Sequence, residues 1–400
     1  MKKIYALSVL AGMATGSVAM AQDLPVAKAP QQDKLQACVV MGVGFWALPG
    51  TDTCLKVSGE VRADYIVTQP GNRALDTTTF ETRGQIGFDA RTATDYGLLR
   101  SYILLDAYVL PGGKSSFIVD KAYVQFDGVT AGYAHSFFGI YDLDYASDIR
   151  QPYFGYAGTT NLLAYTQEVG GALSATLSVE DAAHTRSSLF NELGFFESVP
   201  SGGTVAPDVV GNLRIDRDWG EAALFGAMHQ IRYPGPETAG PLIKGSDYGF
   251  AAGGALGLDL PILSGAHVAA EGTYAKGAST YLGWQQVDAA FDGYSGMTDL
   301  GHGWTATGEF GVNLTPRLTF NLLGSYLDYK GANADNYLDP PTPDIKAWIA
   351  GGNAVYTFTR GLTFGAEVFY SHYAAKSDYT PASPIESKGW TGALRVRRSF

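Results

Sequence analysis

Alternation of apolar and polar side chains is the feature that most restricts how this chain can fold. From residue 55 onward, stretches of about ten alternating residues are broken by Gly, Pro, Asp or Asn. In the stretch FETRGQIGFDAR, Phe80 and Ile86 fall on one face of an extended strand, and Arg83 and Asp89 fall on the other. Such a strand separates an apolar environment from a charged one.

No later stretch reaches the roughly 18 uninterrupted apolar residues that a membrane helix requires. A membrane-spanning form would therefore have to be a closed barrel, because only closure satisfies every backbone group in lipid. The alternation and its breaks predict an even number of strands, about sixteen, as in bacterial single-chain barrels. The predicted strands are 55–67, 79–91, 97–109, 116–127, 129–137, 160–169, 172–181, 207–217, 221–232, 246–259, 265–276, 303–314, 317–329, 345–358, 362–374 and 388–400. The predicted fold class is all-β, a transmembrane antiparallel β-barrel.

The N-terminal sequence predicts export. MKKIYALSVLAGMATGSVAMAQ combines Lys2 and Lys3 with an apolar stretch and the small-residue site Ala19-Met20-Ala21. This pattern is typical of a signal peptide, here residues 1–21, and a buried N-terminal helix is the alternative. Loss of the two lysines would change the formal net charge from −11 to −13. So acidic a chain is a poor partner for nucleic acid.

Two cysteines, Cys38 and Cys54, stand sixteen positions apart. In an exported chain they predict one disulfide, because a metal site needs more ligands and no histidine lies near them. We expect no metal and no cofactor. The predicted organisation is a periplasmic lead-in, residues 22–54, followed by the barrel domain, residues 55–400.

Three stretches resemble known outer-membrane proteins. CVVMGVGFWALPGTDTCLKVSGEVRADY (38–65) resembles the start of the general porins of alphaproteobacteria, and DKAYVQFDGVTAGYAHSFFG (120–139) resembles the segment before that family's inward-folded third loop. WTGALRVRRSF ends on Phe400 and is similar to the C-terminal assembly signal of bacterial outer-membrane proteins. Arg398 falls on the lipid side of this strand, near a rim where its side chain could snorkel. The resemblance implies a trimeric, water-filled pore.

In such a pore, the connection 136–158 would be the constriction loop. Its acidic residues outnumber its basic ones, and an acidic surface loop is the alternative. The predicted constriction residues are Tyr141, Asp142, Asp144, Tyr145, Asp148 and Arg150.

Opposite the loop we expect a wall of arginines, because closure of the barrel joins the last strand to the first. The group expected at mid-height is Arg62, Arg83, Arg100 and Arg395. The group expected nearer the periplasmic rim is Arg91 and Arg397. Simple pairing of these arginines with carboxylates of the same strands is the alternative, and both interpretations can hold together. Those carboxylates are Glu60, Asp64, Glu81 and Asp89.

The sequence and the resemblance together predict an outer-membrane porin, embedded in lipid, for passive diffusion of small hydrophilic solutes and ions. The resemblance implies that the porin is a homotrimer. A sugar-specific channel is the alternative, because aromatic residues of the loop can guide sugar rings. A barrel hydrolase and a soluble secreted sandwich are the other classes, but no His-Glu-x-x-His or Gly-x-Ser-x-Gly motif occurs. We expect no enzymatic activity and a weak preference for cations. Small outward residues are predicted to pack against a neighbouring subunit, namely Gly59, Ala63, Gly84 and Ala90.

Overall fold

Sixteen antiparallel strands form one sheet that closes into a barrel. The fold is given by a computed structural model. The structure describes residues 36–69, 76–140, 153–191, 197–235, 242–243, 245–292, 296–333, 342–376 and 385–400. The barrel strands are β1 Thr53–Thr68, β2 Thr78–Thr94, β3 Gly97–Val109, β4 Ser115–Phe126, β5 Val129–His135, β6 Thr159–Val169, β7 Leu173–Glu180, β8 Asp208–Arg217, β9 Gly220–Arg232, β10 Ser246–Leu260, β11 Ala266–Lys276, β12 His302–Thr315, β13 Leu318–Lys330, β14 Asp344–Thr359, β15 Leu362–Lys376 and β16 Ile385–Ser399.

The barrel closes where β16 pairs with β1, which also pairs with β2. Closure leaves no open sheet edge, so that the strands satisfy one another's backbone groups. The predicted fold class is confirmed. All sixteen predicted strands are present, and their ends lie within three residues of the predicted ones.

The two faces of the barrel follow the alternation in the sequence. Outward side chains are apolar and accessible, such as Val61, Phe80 and Leu224, which are 53%, 70% and 67% exposed. Inward side chains are polar or packed, such as the buried carboxylates of Asp64 and Asp106. An apolar outer surface around a polar interior is typical of a membrane barrel.

Very short turns join strands at one rim. At the turn between β4 and β5, Asp127 and Gly128 have φ angles of +46° and +81°. This left-handed conformation suits glycine and is tolerated by aspartate, which is why Asp-Gly favours a two-residue hairpin. The long connections leave the opposite rim.

The described parts of two long connections, 136–140 with 153–158 and 277–292 with 296–301, enter the barrel instead of staying outside it. Phe138 and Tyr156 of the first pack with Tyr281 of the second, against the inward-facing Phe225 of β9. The described ends of the third loop therefore lie inside the barrel, as predicted. Protein thus fills part of the barrel interior.

A small four-stranded sheet lies in the long connections and was not predicted. Each of its strands has only three residues, too few to show alternation. They are Leu189–Asn191, Glu197–Val199, Ala289–Phe291 and Thr298–Leu300.

The described part of the lead-in is folded. Cys38 and Cys54 form the predicted disulfide, with their Cα atoms 6.0 Å apart. Trp46–Ala47 is a short strand that pairs with β1. The predicted signal peptide, residues 1–21, lies outside the described residues. Within the described ranges, no helix is long and apolar enough to cross a membrane.

Phe400 lies against β1 below the end of the β1–β16 pairing. Its N–H donates to the carbonyl of Gly59 (2.9 Å), and the N–H of Gly59 donates to the carbonyl of Phe400 (3.1 Å). A Cβ on Gly59 would lie 2.6 Å from the Phe400 ring. The Phe400 ring therefore leaves no room for a side chain at position 59. Arg398 donates to the backbone carbonyl of Arg360 at the rim (3.4 Å), in line with the predicted snorkelling.

Candidate pore lining

A buried ion pair lies across the seam between β16 and β1. Arg395 is directly opposite Asp64. Its Nε and Nη2 atoms donate to the two carboxylate oxygens at 2.7 and 2.8 Å. This two-point geometry orients the guanidinium as well as holding it.

Arg62 occupies the centre of the basic wall. It is opposite Arg397 of β16 on one side and Arg83 of β2 on the other. Its guanidinium lies 3.8 Å from the nearest oxygens of Glu60 and Asp64. Three arginines thus follow one line across three strands, and carboxylates reduce their mutual repulsion.

Arg83 is held by a carboxylate of the next strand. Its Nη2 lies 2.6 Å from Asp106, which is fully buried. Gln85 and the hydroxyl of Tyr108 also donate to Asp106, at 2.9 and 3.1 Å. The guanidinium lies 5.5 Å from the centre of the Tyr108 ring. Asp106 therefore fixes the position of Arg83.

A second basic group lies nearer the rim with the short turns. Asp89 accepts hydrogen bonds from Arg91 at 3.2 and 2.9 Å, and from Arg100 at 3.0 Å to each oxygen. Arg100 also donates to the side-chain oxygen of Gln125 (2.9 Å). Lys56 is opposite Asp89 across β1 and β2. Positive charge exceeds negative charge in this group.

The predicted grouping of the arginines by height is wrong for two of them. Arg100 is opposite Arg91, and Tyr108, not Arg100, is opposite Arg83. Arg397 is opposite Arg62 and belongs to the upper line. The six arginines nevertheless occur on one wall, formed by β16, β1, β2 and β3. Pairing with carboxylates also holds, but the partner of Arg83 is Asp106, which was not predicted.

The third loop is anchored at both of its described ends. At the first end, Asn212 of β8 donates to the carbonyls of Phe137 (2.8 Å) and Gly139 (3.0 Å). At the second end, the N–H of Phe154 donates to Ser325 of β13, and Thr307 of β12 donates to the carbonyl of Phe154, both at 2.8 Å. These anchors span the barrel interior. The six predicted constriction residues, all within 141–152, lie outside the described residues.

Aromatic rings of the loop serve as anchors. Phe154 and Tyr156 are buried, and their rings lie 5.8 Å from Trp284 and 4.9 Å from Tyr281, respectively. Burial raises the pKa of both phenols, Tyr156 and Tyr281, above the ordinary value. The hydroxyl of Tyr281 therefore stays protonated and donates to Asp208 (2.7 Å). The role of the 277–301 connection was missed, although its Tyr and Trp residues are a weak signal for packing.

Inward-facing acidic side chains on other strands were also missed. They belong to four strands and share burial below 10% exposure: Glu221, Glu271, Glu309 and Glu367. Arg214 lies 2.5 Å from Glu221, and His267 lies 3.3 Å from Glu309. The predicted strands already placed these glutamates inward by alternation, so the signal was available. The interior therefore carries buried glutamates as well as the arginine wall, and two of these glutamates have a basic neighbour.

Comparison with known proteins identifies the family. Residues 23–392 match the family model described as a porin subfamily. The chain belongs to this family. It is an outer-membrane porin channel whose strands cross the bilayer, and the family indicates a channel rather than an enzyme. The rim with short turns is then the periplasmic one, as in other outer-membrane barrels.

Relatives of this porin match it over its whole length. Porin Omp2b of Brucella neotomae is 24% identical over 419 residues, which cover 100% of this chain and 99% of the relative. Porin Omp2b of Brucella abortus (strain 2308) is 23% identical with the same coverage. These identities are low, so the relatives support the family but not individual residue roles.

Two solved structures share the fold. The outer-membrane channel DcaP of Acinetobacter baumannii has a TM-score of 0.66 and 14% identity, covering 87% of this porin and 97% of DcaP. OmpF of Salmonella typhi has a TM-score of 0.53 and 13% identity, covering 87% and 98%.

Proposed function

We propose that this porin is a general diffusion channel for small hydrophilic solutes and ions, and that it functions as a homotrimer. The observation that carries the proposal is the wall of arginines that lines the barrel interior. The wall arginines are 15–27% exposed where they pair with Asp106 and Asp89, whereas these carboxylates are at most 10% exposed. The guanidinium groups thus border the water of the lumen, and the more deeply buried carboxylates hold them in place.

Acidic residues of the third loop opposite this wall would create a transverse field in the narrow part of the channel. A polar solute can align its dipole with this field and exchange its hydration for side-chain contacts, as in other charged pores. An apolar solute would have to displace ordered water and gain nothing in return. We assign the constriction to the third loop and its residues Tyr141, Asp142, Asp144, Tyr145, Asp148 and Arg150, and the weak cation preference stays a prediction.

A sugar-specific channel is the second candidate. Tyr102 and Tyr123 pair across β3 and β4 with ring centres 5.4 Å apart, beside the guanidinium of Arg100. Such rings can stack on a sugar. Phe154 and Tyr156 do not support this candidate, because they are packed against the wall.

Planar-bilayer recording of detergent-purified protein in a salt gradient tests the proposal. We expect conductance steps in groups of three, a small reversal potential of the cationic sign, and no block by sugars. Block by micromolar sugar would favour the second candidate. Absence of any conductance would refute both. A reversal potential of the anionic sign would overturn the cation preference alone.

A further inference from the structure

The segment from Gln36 to Asp52, here called the N-terminal hairpin, lies at the periplasmic mouth of the channel. Its strand Trp46–Ala47 pairs with Leu55 and Cys54 of β1, below the point where the pairing with β16 ends. Leu55 faces outward, so alternation turns Trp46 outward and Phe45 inward. Phe45 is 4% exposed. The hairpin therefore continues the barrel wall and turns its Phe45 side into the lumen.

Arg91 holds the hairpin from inside the lumen. The Arg91 guanidinium lies 4.6 Å from the centre of the Phe45 ring, a cation–π distance. Its Nη1 donates to the carbonyl of Met41 (3.1 Å). The Nζ of Lys56 lies 6.0 Å from the same ring. Arg91 and Lys56 both face the channel, so a segment that contacts both lies inside the mouth.

Arg91, which contacts the hairpin, belongs to a network of hydrogen bonds in the barrel wall. Arg91 is bound to Asp89, which also binds Arg100, and Arg100 donates to Gln125 of β4. This chain of contacts crosses β2, β3 and β4. On its other side, the Cys38–Cys54 disulfide ties the hairpin to β1.

Three valines at the tip of the hairpin are exposed. Val39, Val40 and Val43 are 81%, 97% and 89% exposed. Apolar groups beside a water path raise the barrier to ions, because they offer no replacement for lost hydration. The position and the surface of the tip both suit a restriction of the channel.

We propose that the N-terminal hairpin is a second narrowing of the channel, at its periplasmic mouth, which limits the size of the solutes that pass. The disulfide and Arg91 keep it in place. This inference rests on the proposed function, since a narrowing matters only in a conducting channel. Phe45 and Arg91 are positioning residues for the hairpin.

Reduction of the disulfide in channels that have already inserted tests the inference without any question of folding. Recordings are made before and after a phosphine reductant is added, and thiol labelling confirms the reduction. We expect the conductance to rise about 1.2-fold or more, because the mouth is one of two resistances in series. Vesicles should then admit an oligosaccharide that the oxidised protein excludes.

Substitutions distinguish the effect of the hairpin on conductance from that of the rest of the wall. Phe45→Ala and Arg91→Gln should start with raised conductance and respond little to reductant. Arg83→Gln is the matched control, because Arg83 contacts Asp106 and Tyr108 and not the hairpin. Its response to reductant should equal that of the wild type.

The outcomes are distinct. A wild-type channel that conducts but is unchanged by confirmed reduction overturns the narrowing and leaves the porin function intact. The narrowing is also overturned if the double variant Cys38→Ser, Cys54→Ser has lower thermal stability but unchanged conductance and size limit. The disulfide would then be only a structural link. A wild type that never conducts refutes the proposed function itself.

Discussion

Replacement of Arg395 by Met tests the ion pair that closes the barrel. The side chains of Arg395 and Asp64 are 2% and 6% exposed, and Nε lies 2.7 Å from the carboxylate. Met keeps the length of the apolar stem but has no charge. The carboxylate of Asp64 would then remain buried without its principal partner.

The expected cost follows from the burial of this pair. Removal of one member of a buried pair costs about 3–5 kcal/mol, because the remaining charge is uncompensated. Arg62 lies 3.8 Å from Asp64 and can replace part of the interaction. We therefore expect the free energy of unfolding to fall by about 3 kcal/mol. The effect should open the seam first, since β1 pairs with β16 over Glu60–Thr68 but with β2 over Thr53–Val67.

Urea unfolding in lipid vesicles, followed by tryptophan fluorescence, measures this change. The double variant Asp64→Leu, Arg395→Met removes both charges and should be more stable than Arg395→Met alone. Arg398→Met is the control on the same strand, and it should change the free energy by less than about 0.5 kcal/mol because Arg398 is exposed. A loss below about 1 kcal/mol in Arg395→Met, or a double variant as unstable as the sum of the single ones, would refute the reasoning.

Three further predictions concern other contacts. Gly59→Ala should lower the folded fraction, because the added Cβ would lie 2.6 Å from the Phe400 ring. Gly84→Ala is the control and should leave the folded fraction unchanged, because its Cβ would have no atom within 4 Å. Heat-dependent gel mobility measures the folded fraction of both variants. Asn212→Ala removes two hydrogen bonds to the third loop, at a cost of about 1–3 kcal/mol, and should increase open-channel noise in bilayer recordings. Burial raises the pKa of Tyr281, so its contribution to stability is present below about pH 10 and lost as the pH rises further, when the unfolded phenol ionises first. Tyr281→Phe should therefore show a smaller alkaline loss in urea titrations at pH 9 to 11.

The strands could be predicted because the local signals agree. Alternation, which shows which face of each strand meets lipid, is interrupted by turn residues at almost every strand end. Between Asp127 and Gly128, for example, the backbone conformation that the turn needs is one that this dipeptide favours. Because lipid lies outside the barrel and water inside, a strand turned by one residue would place its polar side chains in lipid.

Predicting the register of paired strands needed the position of the turn between them. The two residues Asp95 and Tyr96 join β2 to β3, and Thr94 pairs with Gly97. Counting outward from this turn places Arg100 opposite Arg91. The turn therefore predicts the register, whereas comparing positions along each strand separately did not. The seam is different, because no turn joins β16 to β1 and their register depends on the closure of the whole barrel.

Packing inside the barrel was the least predictable part. Glu271 and Tyr281 are only ten residues apart, but the first faces inward from β11 and the second belongs to a connection that folds into the lumen. Alternation describes a strand and says nothing about which loop will fill the space it encloses. The missed second inward connection has this cause, whereas the inward glutamates could have been predicted from the alternation.

The arrangement of charge in the wall has a consequence for selectivity. A surface ion pair in open water contributes little and moves freely, and a channel lined only by such pairs would have no fixed geometry. Here Asp106 is fully buried and Asp89 is 10% exposed, so the carboxylates lie beneath the guanidinium groups of Arg83 and Arg100. Loss of a carboxylate would then release an arginine from its position as well as remove a negative charge. Changes at Asp106 should therefore alter solute passage in ways that the net charge of the channel does not predict.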